Sequence, residues 1–139
     1  MQVSVVGLRW AVTTYDLDTN GAWTASSAHA FSEGEPGATD LGAAVHRGLG
    51  DGVVVLGRAP GDRREGVDPT VAALGLGSWR ALARAGRFVS VGWGPDGIRV
   101  ERLTRRTQAQ YGTGAEVLLP EDVAESALGE AVIEALRVP

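Results

Sequence analysis

The stretch FVSVGWGPDGIRVERL, Phe88 to Leu103, decides the fold. Phe88–Trp93 and Ile98–Leu103 are β-rich runs, and Gly94-Pro95-Asp96-Gly97 between them is turn chemistry, so the segment reads as an antiparallel hairpin. Gly92, Gly94 and Gly97 also spell the G-x-G-x-x-G of a dinucleotide loop. That loop needs a helix opening at its third glycine, whereas Ile98-Arg99-Val100-Glu101 reads as a strand. The glycines therefore predict a turn.

Working outward, Glu116–Leu119 is a third strand, which Pro120 ends. Asp122 followed by Glu125 resembles a capping box, and Leu128, Ala131, Val132, Ala135 and Leu136 form one apolar stripe, predicting a helix over 122–137. Upstream, Ser78 is expected to cap a helix Trp79–Ala85 that Gly86 ends, and Asp68 to cap a turn with Pro69 at its first position. Gly57 to Gly66 lacks periodicity and reads as an exposed loop after a short strand Val53–Leu56. Trp10–Leu17 and Ala22–Phe31 form another hairpin around Asp18-Thr19-Asn20-Gly21. Thr39 is a candidate N-cap, with Leu41, Ala44, Val45 and Leu49 at helical spacing behind it.

These elements predict an α+β fold, a single domain over residues 1–139, with a twisted, mainly antiparallel sheet carrying two or three packed helices. Leu41, Gly42, Ala44, Val45 and Leu49 recur as Leu128, Gly129, Ala131, Val132 and Leu136 at one fixed offset. Two related hairpin-plus-helix halves explain this, and so does chance likeness between two Ala-rich helices.

The 139 residues are 44% hydrophobic, enough for one core, and contain no cysteine and two histidines, His29 and His46. Disulfides, thiolate metal sites and cysteine nucleophiles are excluded together. The longest apolar run, Val53–Leu56, is far short of a membrane span, and the start lacks a leader pattern, so the expected location is cytoplasmic with no membrane partner. All thirteen basic residues are arginine, a sign of coding bias that weakens arguments from Arg enrichment.

The net charge of −4 is unevenly spread. Residues 1 to 45 carry Asp16, Asp18, Glu33, Glu35 and Asp40 against Arg9 alone. An acidic front end disfavours nucleic acid as a partner and suits a basic protein surface; an ordinary solvated face accounts for it as well. Asp16, Asp18, Glu33 and Glu35 are the candidate partner-binding residues.

Other constellations fall short of chemistry. Asp16, Asp18, Asn20 and Gly21 match the first half of a calcium loop, but its twelfth position is Ser27 and its flanks read as strands, so no metal or cofactor is expected. His29, His46, Glu101 and Tyr111 are the acid–base candidates, at spacings that imply no shared site. Arg102, Arg105 and Arg106 could meet phosphate, yet Glu101 beside them and the lack of interleaved aromatics fit a solvated strand end. Trp10, Trp23, Trp79 and Trp93 read as core, with Trp23 the one candidate for an exposed interface anchor.

The segment 78–137 resembles the contact-dependent growth inhibition (CDI) immunity protein family. The resemblance rests on Arg80-Ala81-Leu82 in a short helix, Ser90 within a strand, the hairpin to Ile98 and Val100, Leu119-Pro120 at a strand end, and Leu128, Gly129 and Ala131 in the final helix. It departs at Arg102-Leu103-Thr104-Arg105-Arg106, where the family carries a Pro-Thr pair, and at Ala124, where a Ser cap is expected and Asp122 must serve. The resemblance implies a non-enzymatic cytoplasmic protein that binds and blocks the toxic domain of a cognate CDI effector, commonly a nuclease. A basic toxin domain suits an acidic antagonist. The alternatives are a small hydrolase or nuclease using His29 with nearby carboxylates, and a structural module that self-associates.

Overall fold

The computed structural model describes residues 1–17, 23–50, 68–105 and 111–138. The expected Asp18–Gly21 turn, the Val53–Leu56 strand and the Gly57–Gly66 loop lie outside them. The described elements run β1 (Gln2–Val6), β2 (Arg9–Leu17), β3 (Trp23–Phe31), α1 (Ala38–Gly50), α2 (Pro69–Ala73), α3 (Trp79–Ala85), β4 (Arg87–Gly94), β5 (Gly97–Arg105), β6 (Tyr111–Leu119) and α4 (Glu125–Arg137). The six strands form one sheet in the order β3-β2-β1-β4-β5-β6, every neighbouring pair antiparallel. The fold is α+β, with four helices among the described residues.

Strand β1, central in the sheet, is absent from the sequence-based expectation. Val3, Ser4 and Val5 are all buried, so the strand shows no polar alternation from which a period of two could be read. It turns into β2 through Gly7, at φ 59°, and the exposed Leu8.

One sheet face presents Val3, Val5, Trp10, Val12, Val89, Val91, Ile98 and Val100 to Leu41, Val45 and Leu49 of α1 and Leu128, Val132 and Leu136 of α4. Each fully buried aliphatic side chain here is worth ~1.5–3 kcal/mol. The opposite face carries a smaller cluster of Ala11, Val71, Leu74, Leu82 and Phe88, sealed by α2 and α3. Thr13 and Thr70 bury their hydroxyls beside this cluster and hydrogen-bond each other at 2.8 Å.

The caps mix confirmation with correction. Asp68 accepts from the Thr70 and Val71 N–H groups at 2.8 and 3.3 Å with Pro69 opening α2, and Ser78 accepts from Ala81 N–H at 3.2 Å, as the sequence predicts. Helix α1 begins at Ala38, its first turn closed by Leu41 N–H to the Gly37 carbonyl, so Thr39 lies inside the helix. Helix α4 begins at Glu125, with Ala124 at the N-cap making no side-chain bond. Asp122 does not cap it: it lies inside a turn closed by Val123 N–H to the Pro120 carbonyl, two residues before the N-cap Ala124.

The repeat seen in the helices extends to the strands that precede them, but not to α2 and α3, which have no counterpart among the described residues. Adding 88 to the residue numbers of β2 and β3 gives the bounds of β5 and β6, and carries Gln2↔Thr13 onto Ser90↔Glu101 and Trp10↔Phe31 onto Ile98↔Leu119. The irregularity at Thr14/Tyr15 maps onto the one between Glu101 and Leu103. For α1 and α4 the offset is 87, one residue less. The halves meet at the antiparallel β1–β4 pair, so a pseudo-two-fold axis runs through the sheet there. The same relation holds between the helices: a Cβ on Gly42 would collide with the Glu125 carbonyl oxygen, and one on Gly129 with that of Ala38.

Candidate functional site

Strand β1 is shorter than its neighbours, and a cleft opens beside its first residues. Its pairing with β2 ends at Thr13, and its pairing with β4 at Ser90, followed by one bond from Val91 N–H to the Met1 carbonyl at 3.0 Å. Strands β2 and β4 run on to Leu17 and Gly94. Between the two overhangs lies a cleft of about 520 Å³, lined in part by Gln2, Tyr15, Trp23, Ser90, Trp93 and Leu103.

The floor is held rigidly while the walls are open. The Tyr15 hydroxyl donates to Gln2 Oε1 at 2.9 Å, and Gln2 Nε2 donates to Ser4 Oγ at 3.1 Å. Burial, followed by the negative charge of Asp68, pushes the Tyr15 phenol up to about 12. By contrast, Trp23 is 64% and Trp93 50% exposed, and both are among the residues that line the cleft. Indole rings bury 150–250 Å² when covered, so a pair left open in one concavity is an unfilled contact surface.

This corrects the expectation that the tryptophans are core. Trp10 is buried, whereas Trp79 is 46% exposed and Trp23 and Trp93 line the cleft. Trp93 alternates in phase with buried Val89 and Val91, but lies past the end of β1 and so lacks the neighbouring strand that would cover it. A Trp between two glycines, Gly92 and Gly94, was the available signal, since a flanking glycine offers a ring nothing to pack on.

The structure does not bring the candidate acids together. Asp16 is half-buried on β2 opposite Thr24, beside the cleft, and Asp18 lies outside the described residues. Glu33 and Glu35 are exposed beyond the opposite end of β3, about 30 Å away at ~3.3 Å per strand residue. Glu35 is also paired there with Arg137 at 2.6 Å.

The acid–base candidates are equally scattered. His29 is exposed on β3 and packs edge-on against Phe31, with ring centroids 4.8 Å apart. His46 is half-buried on α1, its Nε2 without a hydrogen-bond partner among the described residues. Glu101 lies in the other half, across β5–β6 from Glu116. Its burial, its hydrogen bond to Glu116 and the repulsion from that carboxylate raise its pKa, while Arg99 pulls the other way. Among the described residues no group of three or more His, Asp or Glu side chains could hold a metal ion. Of the basic cluster, Arg102 is half-buried on β5 and Arg106 lies outside the described residues. No helix among the described residues is long and apolar enough to cross a membrane.

No family model matches the sequence, and neither does any curated protein sequence. Solved structures do match in fold. The chain is similar to a Neisseria meningitidis protein of unknown function, with a TM-score of 0.69 and 14% identity over 97% of this chain and 91% of that one. It is similar also to a chain of the CdiA-CT/CdiI toxin and immunity complex from Yersinia pseudotuberculosis, with a TM-score of 0.71 and 19% identity over 97% and 93%. At these identities the likeness is one of fold, and it extends over both halves of the sheet rather than residues 78–137 alone.

Proposed function

We propose that this chain is an immunity protein that binds and neutralises a cognate contact-dependent growth inhibition toxin domain of nuclease type, by stoichiometric binding in the cytoplasm and without catalysis of its own. The observation that carries the reading is the cleft where β1 runs out, walled by Trp23 and Trp93. A rigid hydrogen-bonded floor under two open indoles is suited to hold a protein segment, because rigid aromatic anchors lose little entropy on binding. The fold shared with a chain of a toxin and immunity complex supports a toxin domain as the partner.

In this reading the tryptophans provide affinity and the acids provide steering. A nuclease domain is basic where it holds phosphate, so Asp16 beside the cleft, with Asp18 close to it in sequence and Glu33 and Glu35 farther off, would speed its approach.

The test takes the toxic C-terminal domain of a large exported protein, sought in the gene immediately upstream. The purified chain should form a one-to-one complex with it and abolish its nuclease activity. Trp23→Ala and Trp93→Ala should each weaken the complex by about tenfold or more, as truncated interface anchors do. Neutralising Asp16, Asp18, Glu33 and Glu35 together should slow association at low salt and flatten its salt dependence. Absence of a complex would overturn the proposal. Full affinity in both tryptophan variants would remove the cleft from it.

A further inference from the structure

A small recess of about 120 Å³ opens between the β2–β3 pair and α1, lined by Thr14, Ser27, His29, Arg47 and Gly48 among others. The strand register puts its polar groups together. Val12↔His29 and Thr14↔Ser27 are successive pairs on one face of the sheet, the face that buries Val12 against the α1 core. Ala44, Arg47 and Gly48, three and four positions apart, border the recess from one side of the helix. Gly48 lets the helix come close, since a Cβ there would meet Thr14 Cγ2 at 3.0 Å. No carboxylate is among the lining residues.

The polar side chains gathered here can all donate. Arg47 is exposed and makes no ion pair with the described residues. His29 is oriented by its edge-on contact with Phe31 and carries an N–H donor in either protonation state. The Thr14 and Ser27 hydroxyl oxygens lie 2.6 Å apart. Ser26 donates to the Thr14 carbonyl at 3.2 Å, and Thr14 can donate to Ser27, which leaves the Ser27 proton for a ligand. The fold itself does not require this set. In the second half, 88 residues on in the strands, Ser27 and His29 are replaced by Ala115 and Val117, and 87 residues on in the helix, Arg47 is replaced by Glu134.

We propose that this recess binds a phosphate group, held by the Arg47 guanidinium, the His29 imidazole and the Ser27 hydroxyl. The donors come from the helix on one side and from the strand on the other. A tetrahedral phosphate has oxygens enough to accept from all three, whereas a carboxylate offers two. The recess is well below the ~300–1,000 Å³ of sites that enclose larger organic ligands, so it takes the phosphate group and leaves any ester outside. It shares Thr14 and Gly48 with the tryptophan cleft, yet needs no protein partner.

The experiment titrates the full chain with sodium phosphate at fixed pH, with sodium chloride holding the ionic strength constant. The readout is the His29 ring C–H resonance in the proton NMR spectrum, identified by its loss in His29→Gln. Phosphate should shift it saturably, and acetate several-fold more weakly. Arg47→Gln should weaken binding about tenfold, as loss of a charge-assisted hydrogen bond does, with Arg47→Lys in between and Ser27→Ala several-fold weaker. Arg84→Gln, which removes the same charge from α3, should change nothing. Unchanged circular dichroism shows that each variant folds. Glycerol 2-phosphate tells the sources apart: tighter binding than phosphate assigns the site to a phosphorylated molecule, weaker binding to the free ion, and either supports the site. A shift that rises without saturating, full affinity in Arg47→Gln, an equal loss in Arg84→Gln, or acetate binding as tightly as phosphate overturns the proposal.

Discussion

Replacing Gly129 by alanine tests the contact that joins the two halves. The new Cβ would overlap the backbone carbonyl of Ala38, which cannot swing aside as a side-chain end could, so α1 and α4 must separate by about 1 Å or more. That shift loosens Leu41, Val45, Leu128 and Val132, all fully buried in the shared core. Overpacking costs ~1–3 kcal/mol in well-packed sites, and a clash between backbones belongs at or above the top of that range, about 3–4 kcal/mol. Alanine recovers ~1 kcal/mol of helix propensity. The net expectation is a loss of about 2–3 kcal/mol, or a Tm lower by about 8 °C in a domain of this size. Urea unfolding followed by circular dichroism should show a lower midpoint at unchanged slope. Gly42→Ala should behave alike, since its Cβ meets the Glu125 carbonyl. Because one separation relieves both clashes, the double variant should lose clearly less than the sum. Gly50→Ala is the control, for its Cβ meets nothing within 4 Å, and it should be neutral or slightly stabilising. A rise in stability on Gly129→Ala, or strict additivity in the double variant, would refute the close helix crossing.

Tyr15, with its phenol pushed up to about 12, favours the folded state below pH 10 and loses that contribution as pH rises from about 10 to 12. Stability should fall over that window by circular dichroism, and Tyr15→Phe should flatten the fall. Glu101, whose pKa is raised, holds its proton more tightly when folded, so its contribution is present at low pH and lost as pH climbs past the ordinary carboxylate range. Glu101→Gln should remove this component from the stability profile, as read by urea midpoints between acid and neutral pH. Arg87 donates from Nη1 to the Leu136 carbonyl at 2.8 Å, closing the C-terminus of α4. Arg87→Gln should cost ~1–2 kcal/mol, with faster hydrogen exchange confined to the last turn of that helix.

The fold class was legible wherever structure is encoded locally. Turn residues marked the β4–β5 hairpin, Asp68-Pro69 and Ser78 marked the starts of α2 and α3, and apolar stripes marked α1 and α4, because each of these signals acts within a few residues. The repeat was visible in Leu41-Gly42 and Leu128-Gly129, whose glycines are required by the helix crossing. Strand β1 was not legible, since burial on both faces erases alternation, nor was its place between β2 and β4. The cleft depends on that placement: Trp93 has the sequence phase of a core residue, yet it lies beyond the last β1–β4 pair, Gln2↔Ser90, and is half exposed. The acids separated for the same kind of reason. Asp16 and Glu33 are 17 positions apart in the sequence, but a hairpin folds the chain back on itself, and the strand between them sets them at opposite ends. Sequence alone determined most of the elements, β1 excepted, through local propensities and turn signals. Which surfaces stay uncovered was decided by the tertiary structure, because exposure depends on where neighbouring strands end.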